Sequence, residues 1–337
     1  MSENLLPAPF SDAKQARIVF LGTKDFALPS FERLCERGWN VLALITQPDR
    51  PQGRKQVIIP SPIRVSAENR GIPVLQPENL NSDEGLALLS QYHPDILVTV
   101  AYGQILKPHI LKLAAFGGVN LHGSLLPKYR GAAPVARCLQ AGDRETGVTV
   151  IQMSPHVDAG CILSKLATPI GEDETAASLE SRLSELGSPL LESTLSDFLE
   201  GRIQPLTQNS LLATRAPKLS KEEALIDWSQ SAFMTDRFIR AMNPWPIART
   251  RFQGSENVQA LNVLIHESLL DQSESSCEAS LDGQVTGLNR DSIQVCCGDG
   301  KAILIKKVQT EGRKPLPAGD WARGVRLKLG DRFLSPE

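Results

Sequence analysis

Two polar side chains at the end of one apolar run are the part of this chain best placed for chemistry. In GGVNLHGSLLPKYRGAAP, residues 117–134, Asn120 and His122 stand two positions apart. If GVNLH is a strand, both project to the same side of its C-terminal end. Ligands in open parallel sheets bind outside the carboxyl ends of the strands, so an amide and an imidazole facing one crevice there suit a site. Strand-end polar residues also serve as caps and turn-formers, and that reading stays open for each of them alone. A second segment, TVIQMSPHVDAG at 149–160, runs from an apolar stretch into a loop carrying Asp158 before Gly160. An Asp before a small residue is commonly a turn-former, and His156 reads as an exposed loop residue.

Positioning these groups requires a sheet. RIVFLG (17–22) is an apolar run that stops at glycine and leads through a polar turn into a helix-like stretch from Pro29 to Arg37. Further runs at Val41 to Thr46, Ile72 to Leu75, Asp95 to Ala101, Gly118 to Gly123 and Gly147 to Met153 alternate with helical segments. That alternation predicts an α/β domain with a Rossmann-like, doubly wound, mostly parallel sheet covered on both faces. Leu179, Leu183, Leu186, Leu190 and Leu191 mark one face of a closing helix. Beyond a helix at Ala232 to Met242, short β-like runs at 247–252, 260–265, 283–288, 292–297, 302–308 and 325–329 predict a small C-terminal antiparallel β-barrel of the oligonucleotide-binding (OB-like) type. The expected division is a mobile tail over 1–16, a catalytic domain over 17–201, a linker over 202–227 and the barrel over 228–337.

A length of 337 residues exceeds what one core usually organises. No apolar run approaches the roughly 20 residues that cross a bilayer, and the N-terminal stretch, with Glu3, Asp12 and two prolines, is no secretory signal. Net charge is −2, so nucleic acid meets no broad cationic field and any RNA contact must come from a local patch. Six cysteines lie scattered without a C-x-x-C pair, which argues against a zinc cage or a disulfide framework and for a reducing cytoplasm. The adjacent Cys296 and Cys297 read as small strand residues. Five histidines are too dispersed to suggest a metal, and neither a phosphate-binding loop nor a dinucleotide fingerprint is present.

Three segments resemble the formyltetrahydrofolate-dependent formyltransferases: N-x-H-G-S-L-L-P at 120–127, R-G-A-A-P at 130–134 and D-x-G at 158–160. Four others resemble the members of that family that act on methionyl-tRNA. They are F-L-G-T-K-D-F-A at 20–27, T-Q-P-D-R-P-x-G-R at 46–54, K-L-S-K-E-E-A at 218–224 and N-P-W-P at 243–246. The resemblance implies transfer of a formyl group from 10-formyltetrahydrofolate to the α-amino group of methionyl initiator tRNA. It implies a catalytic trio of Asn120, His122 and Asp158, with Ser124, Leu125, Leu126 and Pro127 lining a folate pocket with Val100, Ala101, Tyr102 and Gly103. The loop over 47–62 becomes the place for the tRNA acceptor end, through Arg50, Arg54 and Lys55. The family's denser G-R-G-K-K run reads Gly53-Arg54-Lys55-Gln56-Val57 here. Lys306, Lys307, Arg313, Lys314, Arg323, Arg326 and Lys328 offer alternative phosphate contacts. Neither a membrane nor an obligate protein partner is implied.

Formyl transfer suits those residue types. Attack of an amine on the formyl carbon builds negative charge on oxygen, which fixed donors stabilise. Asn120 offers an uncharged N–H donor and His122 a ring N–H, while Asp158 would orient His122 or relay the proton lost by the amine. An α-amino group titrates near 7.7–8.0, so positioning matters more than activation. A formyltransferase acting on glycinamide ribonucleotide or an amino-sugar nucleotide would share the trio, but the 46–54 loop and the C-terminal basic residues argue against it. A non-catalytic RNA-binding protein would not need the trio.

Overall fold

The computed structural model describes residues 7–52, 57–254, 260–273 and 277–335. Its chain divides into two compact units, one holding Met1–Pro134, Glu145–Pro169 and Glu180–Pro217, the other Val135–Arg144, Ile170–Leu179 and Lys218–Glu337. The first unit contains strands β1 (Ile18–Gly22), β2 (Val41–Ile45), β3 (Pro51–Gln52), β4 (Val57–Ile58), β5 (Val74–Leu75), β6 (Ile96–Val100), β7 (Gly118–His122), β8 (Arg130–Gly131), β9 (Glu145–Gln152), β10 (Ile162–Pro169) and β11 (Arg215–Ala216). Its seven-stranded sheet runs β10-β9-β7-β6-β1-β2-β5. Pairing is parallel from β7 to β5 and antiparallel at β9 and β10.

Every residue of β1 and β6 is buried, as continuous apolar runs require of strands covered on both faces. On one face Val19, Leu21, Ile45 and Leu97 form a core with Tyr102, Leu106 and Ile110. On the other, Phe20 meets Phe31 of α1 (Leu28–Glu36) edge-on at 5.4 Å. The chain leaves β1 toward β2 and β5, then returns to β6 on the opposite side of β1. This reversal opens a crevice at the carboxyl ends of β1 and β6, with β7 beside it. β10 carries no sequence signal strong enough to predict it, because as an edge strand it keeps Lys165, Leu166 and Ala167 exposed.

Of the stretch expected to be a mobile tail, residues 1–6 lie outside the described residues. Phe10 packs on Phe116 at 5.6 Å and donates its N–H to the Leu199 carbonyl, and Ala13 and Ala16 are buried.

In the second unit β12 (Ala248–Gln253), β13 (Leu261–Leu270), β14 (Val285–Leu288), β15 (Ile293–Cys296), β16 (Ala302–Thr310), β17 (Leu316–Pro317) and β18 (Arg332–Leu334) form one antiparallel sheet. It runs β14-β15-β16-β13-β12-β18, with β17 on β16. The Val285 N–H meets the Asp331 carbonyl at 2.9 Å and the Phe333 N–H meets the Gly283 carbonyl at 2.8 Å, which brings the last strand back to the first and makes the sheet a nearly closed barrel. Trp228, Phe252, Trp321 and Phe333 fill it. Two expectations are corrected. No strand forms over 325–329: a helix over Ala318–Val325 ends at Arg326 in the left-handed conformation, and the final strand starts at Arg332. Cys277 and Cys296 are joined as a disulfide across 19 residues, with Cα atoms 6.2 Å apart, a pairing made by the fold and invisible to spacing. Cys297 is the small packed group expected, its thiol pushed up to about 12 by burial. No helix among the described residues is long and apolar enough to cross a membrane.

Candidate active site

β7 delivers Asn120 and His122 to the sheet's carboxyl edge, Asn120 beside Thr99 of β6 and His122 opposite Thr149 of β9. Asn120 is half-buried, and its side-chain amide makes no hydrogen bond among the described residues. His122 is held from one end, where Nε2 lies 2.9 Å from the Tyr129 carbonyl oxygen. A carbonyl only accepts, so Nε2 carries the hydrogen and Nδ1 is the ring atom left to take or give a proton. That atom faces Asp158 Oδ2 at 3.6 Å, with the two side chains only 7% and 14% exposed.

Asp158 owes its place to local conformation. Its φ of 49° is left-handed, a region Asp and Asn enter more readily than other non-glycine residues. Oδ2 also accepts the Gly131 N–H at 2.8 Å. Gly131 itself, at φ 126°, comes so near the next segment that a Cβ would lie 2.6 Å from the Ala216 carbonyl oxygen. The structure thus brings all three expected catalytic residues together at one strand end.

The expected folate-pocket residues divide. Ala101, Leu125 and Pro127 are half-buried and Gly103 is exposed, whereas Val100, Tyr102, Ser124 and Leu126 are buried. The buried ones hold the loops. Ser124 Oγ donates to the Lys128 carbonyl at 2.7 Å. Thr149 Oγ1 donates to the Ser124 carbonyl and accepts the Leu126 N–H. The Tyr102 carbonyl accepts from Thr23 Oγ1, which also takes the Gln47 N–H, so one hydroxyl ties the loops after β1, β2 and β6. Among the described residues no three His, Cys, Asp or Glu side chains gather as a metal cluster.

The long loop after β2 is partly a hairpin, with β3 paired to β4. Arg54 and Lys55 lie outside the described residues. Arg50 is exposed and paired to Glu78 at 2.7 Å, a bond weak enough for a phosphate to displace. In the barrel, Arg313, Lys314, Arg323, Arg326 and Lys328 are exposed, and Lys306 and Lys307 half-buried. Lys307 pairs with Glu267 and Arg323 with Asp320. The K-L-S-K-E-E-A stretch, by contrast, is structural, because Glu223 takes two hydrogen bonds from Arg137, at 2.7 and 3.0 Å.

Residues 16–195 match the family described as formyl transferase, and 218–326 match the formyl transferase C-terminal domain. A methionyl-tRNA formyltransferase of Citrifermentans bemidjiense is 41% identical over 93% of this chain and 95% of its own length. One from Geobacter metallireducens is 42% identical over 94% and 98%. Among solved structures, the sugar 3N-formyl transferase WlaRD, crystallised in the presence of dTDP and 5-N-formyl-THF, superposes with a TM-score of 0.65. It covers 89% of this chain and 99% of its own at 16% identity, a likeness of fold alone. With both domains matched in order and relatives aligned along nearly their whole length, the chain belongs to the methionyl-tRNA formyltransferase family.

Proposed function

We propose that this chain transfers the formyl group of 10-formyltetrahydrofolate to the α-amino group of methionyl initiator tRNA, in the cytoplasm. The observation that carries the reading is the His122 Nδ1 and Asp158 Oδ2 pair at 3.6 Å, at the end of the strand on which the Asn120 amide makes no hydrogen bond among the described residues. As the amine attacks the formyl carbon, negative charge grows on the formyl oxygen, and the Asn120 N–H donates to it. Asp158, directly or through His122 Nδ1, takes the proton the amine loses. The new C–N bond forms, the bond to the folate nitrogen breaks, and that nitrogen recovers a proton. Of the expected pocket residues, Ala101, Gly103, Leu125 and Pro127 keep surface for the folate, and Val100, Tyr102, Ser124 and Leu126 support them from behind. Arg50, Arg54 and Lys55 meet the acceptor end of the tRNA, and the exposed barrel cations meet its phosphates. Incubating the protein with 10-formyltetrahydrofolate and charged initiator tRNA tests this. Formylmethionyl-tRNA and tetrahydrofolate should form in equal amounts, and no formylated tRNA would overturn the proposal.

A further inference from the structure

We infer that Gln208 is a positioning residue of this site, acting through Asp158. The inference rests on the catalytic reading of Asp158 given above. Gln208 lies in a stretch without apolar periodicity, where sequence alone suggests only a linker. In the fold that stretch is a staple. Leu206 exchanges backbone hydrogen bonds with Ile162 at 2.7 and 2.8 Å. Further on, β11 pairs with β8, and Thr214 takes the N–H of Tyr129 on its hydroxyl and that of Arg130 on its carbonyl. Between these two attachments Gln208 is only 8% exposed. Nε2 donates to the Asp158 carbonyl at 2.8 Å and to the Gly160 carbonyl at 2.7 Å. Oε1 accepts Nε and Nη2 of Arg130 at 3.1 and 2.6 Å. Both N–H groups and both acceptor sites of a primary amide are therefore used.

The geometry joins the two halves of the catalytic contact. Gln208 fixes the carbonyl of Asp158, a residue at positive φ, and so fixes which way its carboxylate points. It also fixes Arg130, whose neighbour Gly131 supplies the N–H that meets Asp158 Oδ2. One amide thus sets donor and acceptor relative to each other. Glutamate has the same length but sets a carboxylate oxygen against two carbonyls. Leucine has the volume without the bonds, and asparagine is one methylene short.

The test uses the full-length protein with 10-formyltetrahydrofolate and charged initiator tRNA, and compares Gln208→Leu, Gln208→Glu, Asp158→Asn and the Gln208→Leu/Asp158→Asn double variant. A displaced catalytic group costs up to about 10²-fold, so Gln208→Leu should lower kcat by about 10- to 100-fold, with both KM values within about threefold of the parent. In the Asp158→Asn background the same change should cost less than about twofold, because residues that act as a unit are not additive. Gln208→Glu keeps the shape and the bond to Arg130 but loses both donors to the carbonyls, so it should melt somewhat below the parent while remaining folded, with a similar loss of kcat. Near-parental kcat in either Gln208 variant, or full multiplication of losses in the double variant, would overturn the inference. An Asp158→Asn enzyme of parental kcat would instead sink the catalytic reading of Asp158, an outcome read without reference to Gln208.

Discussion

Asp158→Asn removes one charge while leaving shape and backbone in place. At φ 49° asparagine is tolerated where alanine adds strain, so the substitution isolates the carboxylate. Asp158 Oδ2 stands 3.6 Å from His122 Nδ1, a separation at which unit charges interact by about 4 to 5 kcal/mol at an effective dielectric of about 20. Roughly half of that offsets the desolvation of two nearly buried groups. About 2 kcal/mol then remains to stabilise positive charge that develops at the site in the transition state, worth about 30-fold in rate. Losing the proton acceptor adds a factor on the order of 10² or more. Steady-state kinetics should therefore show kcat reduced by about 10³-fold or more, with the KM values for folate and tRNA little changed. A kcat within about threefold of the parent, in a variant that melts normally, would show that the Asp158 carboxylate takes no part in the reaction.

Asn120→Ala should lower kcat by about 10²- to 10³-fold, the usual cost of one oxyanion donor, with tRNA KM nearly constant. A loss confined to KM would make Asn120 a binding group. The hydrogen bonds of Arg137 hold the Glu223 carboxyl below its ordinary 4.5. A depressed folded-state pKa contributes stability above the unfolded value and loses it as pH falls through the folded one. Glu223→Gln should accordingly be less stable than the parent by about 1 kcal/mol at neutral pH and match it below the carboxylate range, as read from Tm at both pH values. Arg54→Ala should raise tRNA KM while folate binding stays intact. For the parent, log affinity for tRNA should fall with log salt by about 0.7 to 0.9 per phosphate neutralised, and a salt-independent KM would remove the barrel cations from the interface.

The sheet was legible because strands buried on both faces must be continuous apolar runs, as RIVFLG and DILVTVA are. Asn120, His122 and Asp158 were legible as types and spacing, and the resemblance supplied their roles. Nothing local announces Gln208, Thr149 or Thr214. Their partners lie elsewhere in the chain, and the Gln208 contacts to Arg130, Asp158 and Gly160 span 78, 50 and 48 residues. The Cys277 and Cys296 pairing was hidden for the same reason. At 325–329 apolar spacing resembled a strand, but the helix that ends at Arg326 buries Trp321 and Ala322 on the barrel core and takes the chain away from the sheet.

The reaction proposed for this site is formylation of an amine presented on methionyl initiator tRNA, although the fold is shared with enzymes that formylate sugars. The most direct test measures kcat/KM for formyl transfer from 10-formyltetrahydrofolate to three acceptors under one set of conditions: charged initiator tRNA, charged elongator methionine tRNA and glycinamide ribonucleotide. The highest value is expected for initiator tRNA, with a lower one for the elongator and negligible transfer to the small amine. Equal or better formylation of glycinamide ribonucleotide would contradict the proposal.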